Sequence, residues 1–158
     1  MAIFDVFNGD ADGICALIQF RRSDPQSSKL VTGVKRDIQL LNRVRAKSGD
    51  TVNVFDISLA RNRKSLINLL EKNVGVFFVD HHFAGELPAY SNLRACINTE
   101  PEVCTSALIN GYLHGKFVEW AAVGCFGDNL QGTANKLLDT SCGEPDREAL
   151  KNLGELIN

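Results

Sequence analysis

The run Asn8-Gly9-Asp10-Ala11-Asp12-Gly13 sets three oxygen-bearing side chains on alternate positions of a glycine-flanked turn. Further along, Asp56, then Asp80-His81-His82, then Gly127-Asp128-Asn129 each follow an apolar stretch. Carboxylates repel a bare phosphate, but a divalent cation lying between them and the phosphate reverses the local electrostatics. Two cations about 3.5 to 4 Å apart acidify a bound water and stabilise attacking and leaving oxygens together. In such a site Asp10 and Asp12 would serve one metal each, Asp56 would bridge, His81 would supply a nitrogen ligand and Asp128 would close the set. Mixed oxygen and imidazole ligation favours Mn²⁺ or Mg²⁺ over structural zinc.

Two other chemistries fit the first turn less well. Its N-x-D-x-D-G pattern opens like an EF-hand loop, but that loop needs an entering helix and a Glu at its twelfth position. Here the entering segment reads as a strand, and the twelfth residue from Asn8 is Gln19. A nucleotide-binding turn needs the GxGxxG spacing, and GDADG instead puts two anions where the backbone should approach pyrophosphate. Singly, Asp10, Asp12, Asp56 and Asp128 would pass for turn formers or helix caps, with Asp12 suited to cap the helix beginning near Gly13. Their recurrence after successive apolar runs is what marks them.

The elements that must position these residues read as alternating strands and helices. Apolar runs at 2–7 (AIFDVF), 29–34 (KLVTGV), 51–55 (TVNVF), 74–79 (VGVFFV) and 93–97 (LRACI) predict strands. Between them, 13–22, 37–46 and 61–72 carry apolar residues at three and four spacing, which predicts amphipathic helices. Further helices are expected from 99–103 through Leu113, over 119–126 and over 146–157. The expected class is therefore α/β: a three-layer, mostly parallel five-stranded sheet with helices on both faces and a helical C-terminal part. In such sheets ligands bind outside the carboxyl ends of the strands, which is where the acidic and imidazole groups fall.

Length and composition set outer bounds. A chain of 158 residues with 44% hydrophobic and 23% charged residues suits one soluble globular domain, 1–158. No apolar run is long enough to span a membrane and the N-terminus is not a signal peptide, so a cytoplasmic protein is expected. The five cysteines, Cys15, Cys96, Cys104, Cys125 and Cys142, include no CxxC pair and read as reduced packing residues. A net charge of -2 offers no general attraction to polyanions, so a small phosphorylated ligand fits better than a long nucleic acid. Lys35 and Arg36, just past the second strand, are placed to reach a substrate phosphate, whereas Arg61, Arg63 and Lys64 read as a solvated helix face. The Cys104-Thr105-Ser106 segment reads as a helix N-cap, with NH groups that could also face an anion.

Taken together, the motifs resemble the DHH phosphoesterase superfamily, which includes RecJ-type exonucleases, oligoribonucleases and phosphatases acting on nucleotides. NGDADG is similar to its first motif, Asp56 in VFDIS to the second, VDHH to the third and GCFGDN to the fourth, and the likeness extends over nearly the whole chain. CTSALI, residues 104–109, is similar to the threonine-containing helix start that follows DHH in these proteins. The resemblance implies metal ligation by Asp10, Asp12, Asp56, His81 and Asp128. It also implies that His82 contacts the scissile phosphate or leaving oxygen, and that Asp80 orients a neighbouring histidine. Two departures stand out: Asn8 lies where the family usually has His or Asp, and nothing after Asp128 resembles the GGGH motif of its smaller C-terminal domain. That substrate-recognition domain is expected to be absent or truncated here.

The function expected is hydrolysis of a nucleotide or short oligonucleotide phosphoester by metal-activated water, with one or two Mn²⁺ or Mg²⁺ ions. A catalytically weak or inactive nucleotide- or metal-binding regulatory module is the first alternative. An inorganic pyrophosphatase-like hydrolase is the second.

Overall fold

The computed structural model describes residues 1–139 and 143–158. Five strands, β1 (Ile3–Asn8), β2 (Lys29–Gly33), β3 (Thr51–Phe55), β4 (Gly75–Asp80) and β5 (Leu93–Ile97), form one sheet in the order β2-β1-β3-β4-β5. Every adjacent pair is parallel. Among the described residues there are six α-helices: α1 (Ala11–Ser23), α2 (Leu59–Glu71), α3 (Thr105–Tyr112), α4 (Val118–Gly127), α5 (Gln131–Leu138) and α6 (Glu144–Ile157). The α/β architecture with helices on both faces is the one the alternating pattern predicts.

Alternation along the strands builds two cores. Phe4, Val6, Val52, Val54, Val76 and Phe78 point to one face, where Leu59, Leu66, Leu69 and Leu70 of α2 cover them together with Leu40 and Leu41. Phe7, Phe55 and Val79 point to the other, against Ala16 and Leu17 of α1 and Ile109 of α3. A third core joins Cys104, Ala122, Cys125, Phe126, Ala134 and Leu138 away from the sheet. Cys104 and Cys125 form no disulfide there, their thiols sharing a hydrogen bond at 3.4 Å, and Cys15 is likewise buried and free. Cys142 lies outside the described residues.

One buried carboxylate ties β1 to its neighbours. Arg21 grips Asp5 through both Nε and Nη2 at 2.6 Å, Ser28 donates at 2.6 Å and Asn53 at 2.8 Å. Burial alone would raise the Asp5 pKa, but these hydrogen bonds and the guanidinium charge outweigh it and hold the carboxyl below its usual range.

Two expected helices are corrected. Residues 37–46 form only a 3-10 turn, Leu40–Arg43. Asn62 of α2 takes the backbone groups a longer helix would use: its Nδ2 donates to Ile38 O at 2.6 Å and its Oδ1 accepts from Leu41 N at 3.3 Å. The helix expected from 99–103 begins instead at Thr105, and residues 101–102 form a turn closed by Val103 N donating to Glu100 O. Helix α5 escapes the periodicity reading because only Ala134 and Leu138 of its eight residues are buried. Among the described residues no helix is long and apolar enough to cross a membrane.

Candidate metal centre at the strand ends

Because all strands run in parallel, the residues following β1, β3 and β4 emerge at one edge of the sheet. The chain leaves β1 outward to β2 and then returns to β3 on its other side, which opens a crevice between the ends of β1 and β3. A cleft of about 530 Å³ lies at this edge, lined in part by Asn8, Asp10, Asp56, His81, His82 and Asp128.

The turn after β1 is tightly packed. Gly9 faces the Gly33 carbonyl so closely that a β-carbon would overlap it. Asp10 caps α1, its Oδ1 accepting from Gly13 N at 3.2 Å. Asp12, in the first turn of α1, is fully buried. Its two oxygens accept from Thr105 N at 2.7 Å and Ser106 N at 2.6 Å, and the Ser106 hydroxyl donates to its backbone carbonyl at 2.8 Å. Cys104, at the N-cap position of α3, makes no side-chain cap. The helix is capped instead by a carboxylate 93 residues away, so Asp12 is the anion that the Thr105 and Ser106 amides face.

Asp56 follows β3 with φ of 56°, a left-handed conformation that costs a non-glycine residue on the order of 1 kcal/mol. Its amide donates to Val79 O at 3.1 Å, and its Oδ1 lies 3.4 Å from Thr105 Oγ1. After β4, His81 Nδ1 lies 3.0 Å from Val103 O; a carbonyl can only accept, so Nδ1 carries a proton and Nε2 is the nitrogen left to offer a lone pair to a cation. That Nε2 stands 3.4 Å from Asp56 Oδ1, 3.4 Å from Asp128 Oδ2 and 3.9 Å from Asp12 Oδ2. Asp128 reaches this point from the C-terminal end of α4. Donor atoms bound to one ion at about 2.1 Å stand roughly 3 to 3.5 Å apart at right-angled to tetrahedral geometry, and Asp12, His81 and Asp128 are close enough together to share a divalent cation, while Asp56 groups with His81 and His82.

His82 is held differently. Its Nδ1 lies 2.7 Å from Asp80 Oδ1, and Asp80 is fully buried. The Asp80 hydrogen bond raises the His82 pKa against the opposing effect of burial. Asp56 is pushed well above the usual carboxylate range, first by burial and then by the charges of Asp12 and Asp10. Burial, then Asp12, likewise raises Asp128 to about 6. A cation among these groups would reverse both shifts.

The remaining candidates divide. Asn8 donates its Nδ2 to Asp10 Oδ2 at 3.1 Å, and its own Oδ1 is buried without a partner. Lys35 Nζ lies 3.6 Å from the same Asp10 oxygen and lines the cleft. Arg36 is exposed and is not among the cleft's lining residues. Arg61, expected on a solvated face, is exposed but also lines the cleft, as do Ile38, Ser58 and Phe83. Ser58 caps α2, its Oγ accepting from Arg61 N at 3.4 Å, and Phe83 directly follows the two histidines in the chain. Arg63, by contrast, turns away to bond the Glu86 carbonyl.

Comparison with solved structures places this architecture. The chain is similar to the DHH domain of a protein described as a member of a family of ribosomal proteins, with a TM-score of 0.66 and 14% identity over 99% of this chain and 46% of that one. It is also similar to exonuclease RecJ bound to manganese, with a TM-score of 0.57 and 19% identity over 98% of this chain and 47% of the other. RecJ from Thermus thermophilus in complex with Mn²⁺ matches with a TM-score of 0.53 and 20% identity, over 86% of this chain and 24% of that one. The fold is thus that of a DHH domain, and the chain spans less than half the length of these solved chains. No family model and no curated protein sequence matches it.

Proposed function

We propose that this DHH-fold chain is a metal-dependent phosphoesterase domain acting on a nucleotide or short oligonucleotide phosphoester. The observation that carries the proposal is the approach of Asp12, Asp56 and Asp128 to His81 Nε2, beside a cleft that Asp56, His81, His82 and Asp128 line. Mn²⁺ or Mg²⁺ bound there would acidify a water and offset phosphate charge.

The roles of the protein groups follow from their bonds. Val103 O fixes the His81 tautomer, so its lone pair faces the carboxylates. Asp80 accepts from His82 Nδ1 and stabilises the imidazolium, so the half-exposed ring presents an N–H from Nε2 to a phosphate or leaving oxygen. Arg61 on the cleft wall supplies a second donor to phosphate. Phe83, 77% exposed next to His82, offers a ring face to a nucleobase, which favours a nucleotide over pyrophosphate.

The test compares a dinucleotide, a nucleoside bisphosphate and pyrophosphate with Mn²⁺. Hydrolysis of a nucleotide substrate that is lost in Asp56→Asn supports the proposal; Asn keeps the left-handed conformation tolerable while removing the charge. Phe83→Ala is expected to raise KM for the dinucleotide. Preference for pyrophosphate, with no effect of Phe83→Ala, would favour the pyrophosphatase-like reading. The binding-module reading draws on Asn8, which gives Asp10 a hydrogen bond where the resembling family has a ligand. Mn²⁺ and dinucleotide binding without any turnover would establish it in place of hydrolysis.

A further inference from the structure

We infer that this centre takes one divalent cation rather than two, and that Lys35 and Asn8 close its Asp10 corner to a second ion. The inference rests on the metal-binding reading above and narrows it. Among the described residues, two groups of side chains come close enough to share a metal: Asp56 with His81 and His82, and Asp12 with His81 and Asp128. Both draw on His81, which has a single free nitrogen because Nδ1 donates to Val103 O. His82 Nδ1 carries the proton it gives to Asp80, so that atom is no ligand. One nitrogen lone pair binds one ion, so the two groups cannot both be filled: the ion takes Asp12, His81 and Asp128, with Asp56 Oδ1 3.4 Å from the same nitrogen.

A second ion would sit about 3.5 to 4 Å from the first and would need donors of its own. Asp10 is the carboxylate left over, and it belongs to neither group. Its Oδ1 is taken by the Gly13 amide, and its Oδ2 faces the Asn8 amide nitrogen at 3.1 Å and the Lys35 ammonium at 3.6 Å. Turning the Asn8 amide over would set its oxygen against a carboxylate oxygen, so the donor orientation is the one the chemistry requires. Lys35 is itself a cation, and a second bond to Asn158 Oδ1 at 2.7 Å holds it over the corner. The ammonium neutralises Asp10, and the remaining three carboxylates are left to a single divalent ion.

Manganese stoichiometry by equilibrium dialysis, read together with the electron paramagnetic resonance spectrum, tests this without recourse to activity. Wild type is expected to bind one Mn²⁺ per chain with an uncoupled mononuclear spectrum, and Asp10→Asn is expected to keep that ion. The double variant Asn8→His/Lys35→Ala is expected to bind two ions with an exchange-coupled spectrum. Lys35→Ala alone, at an exposed residue, gives a weaker second ion and serves if the double variant does not fold. Two coupled ions in wild type would overturn the inference, as would loss of the only ion in Asp10→Asn or a single ion in both Lys35 variants. Binding of no ion by wild type would overturn the metal-binding reading itself, and this inference with it.

Discussion

At the scale of single residues, the candidate centre is a set of carboxylates kept under electrostatic load. Asp128 has its pKa raised to about 6, first by burial and then by Asp12, and Asp56 is displaced in the same direction. A raised carboxyl contributes stability that is fully present below its unfolded value of 3.8 and is lost as pH rises through the folded value. His82, raised from 6.5, contributes with the same sign. Asp5 has the opposite sign, but its folded value lies below 3.8, so its loss comes at more acid pH. Metal-free protein is therefore expected to become more stable as pH falls from 7 towards 4, by on the order of 1 to 3 kcal/mol. Urea denaturation at a series of pH values with chelator present measures this. Stability that falls monotonically from pH 7 to 4 would remove the electrostatic load from the account. Saturating Mn²⁺ is expected to flatten or reverse the trend, because protons and cation compete for the same oxygens.

At the scale of elements, the centre depends on how closely α4 and α3 approach Asp12. Gly124 of α4 lies so near Ser106 that an added β-carbon would overlap the Ser106 side chain, and it would come within 3.2 Å of Asp12 Oδ1. Gly124→Ala must therefore push α4 away, which moves Asp128 at its end and disturbs the Asp12 cap on α3. Overpacking of this kind costs about 1 to 3 kcal/mol. The variant is expected to lose stability and to bind Mn²⁺ more weakly, by thermal denaturation and metal titration respectively. Unchanged metal affinity alongside lower stability would show that α4 does not position the ligand. The same contact separates what is legible in the sequence from what is not. Strands are legible because contiguous apolar runs end in polar residues, and parallel topology then brings those polar ends to one edge. The Asp12 cap on α3 is not, since nothing local to either residue links positions 93 apart. Nor is the loss of a helix over 37–46, where side-chain hydrogen bonds from Asn62 override a helical apolar spacing. The closure of Asp10 by Lys35 depends on how the chain after β2 returns across the sheet edge, a tertiary fact with no periodic signal.

At the scale of the whole molecule, one end of the sheet concentrates Asp10, Asp12, Asp56, Asp80 and Asp128, all acidic, within a chain of net charge -2. Two of them are relieved internally: Asp10 by Lys35 and Asp80 by His82. The other three lie around His81 Nε2, and a cation binding there lowers the free energy of the folded state only, since the donors come from separate elements and are not assembled in the unfolded chain. At a concentration 100 times its dissociation constant such an ion adds about 2.7 kcal/mol. For a domain of this size that corresponds to a rise in thermal midpoint of roughly 5 to 10 °C. Calorimetry with Mn²⁺ and with chelator measures it, and the rise is expected to grow with the logarithm of metal concentration. Asp56→Asn separates site binding from general screening: it removes a candidate ligand but only one unit of the chain's charge. The variant is expected to lose the metal-dependent rise while matching or exceeding the metal-free wild type in stability, because the burdened carboxylate is gone. If wild type and Asp56→Asn respond equally to Mn²⁺, the stabilisation comes from diffuse charge neutralisation, and the converging carboxylates are not a metal centre.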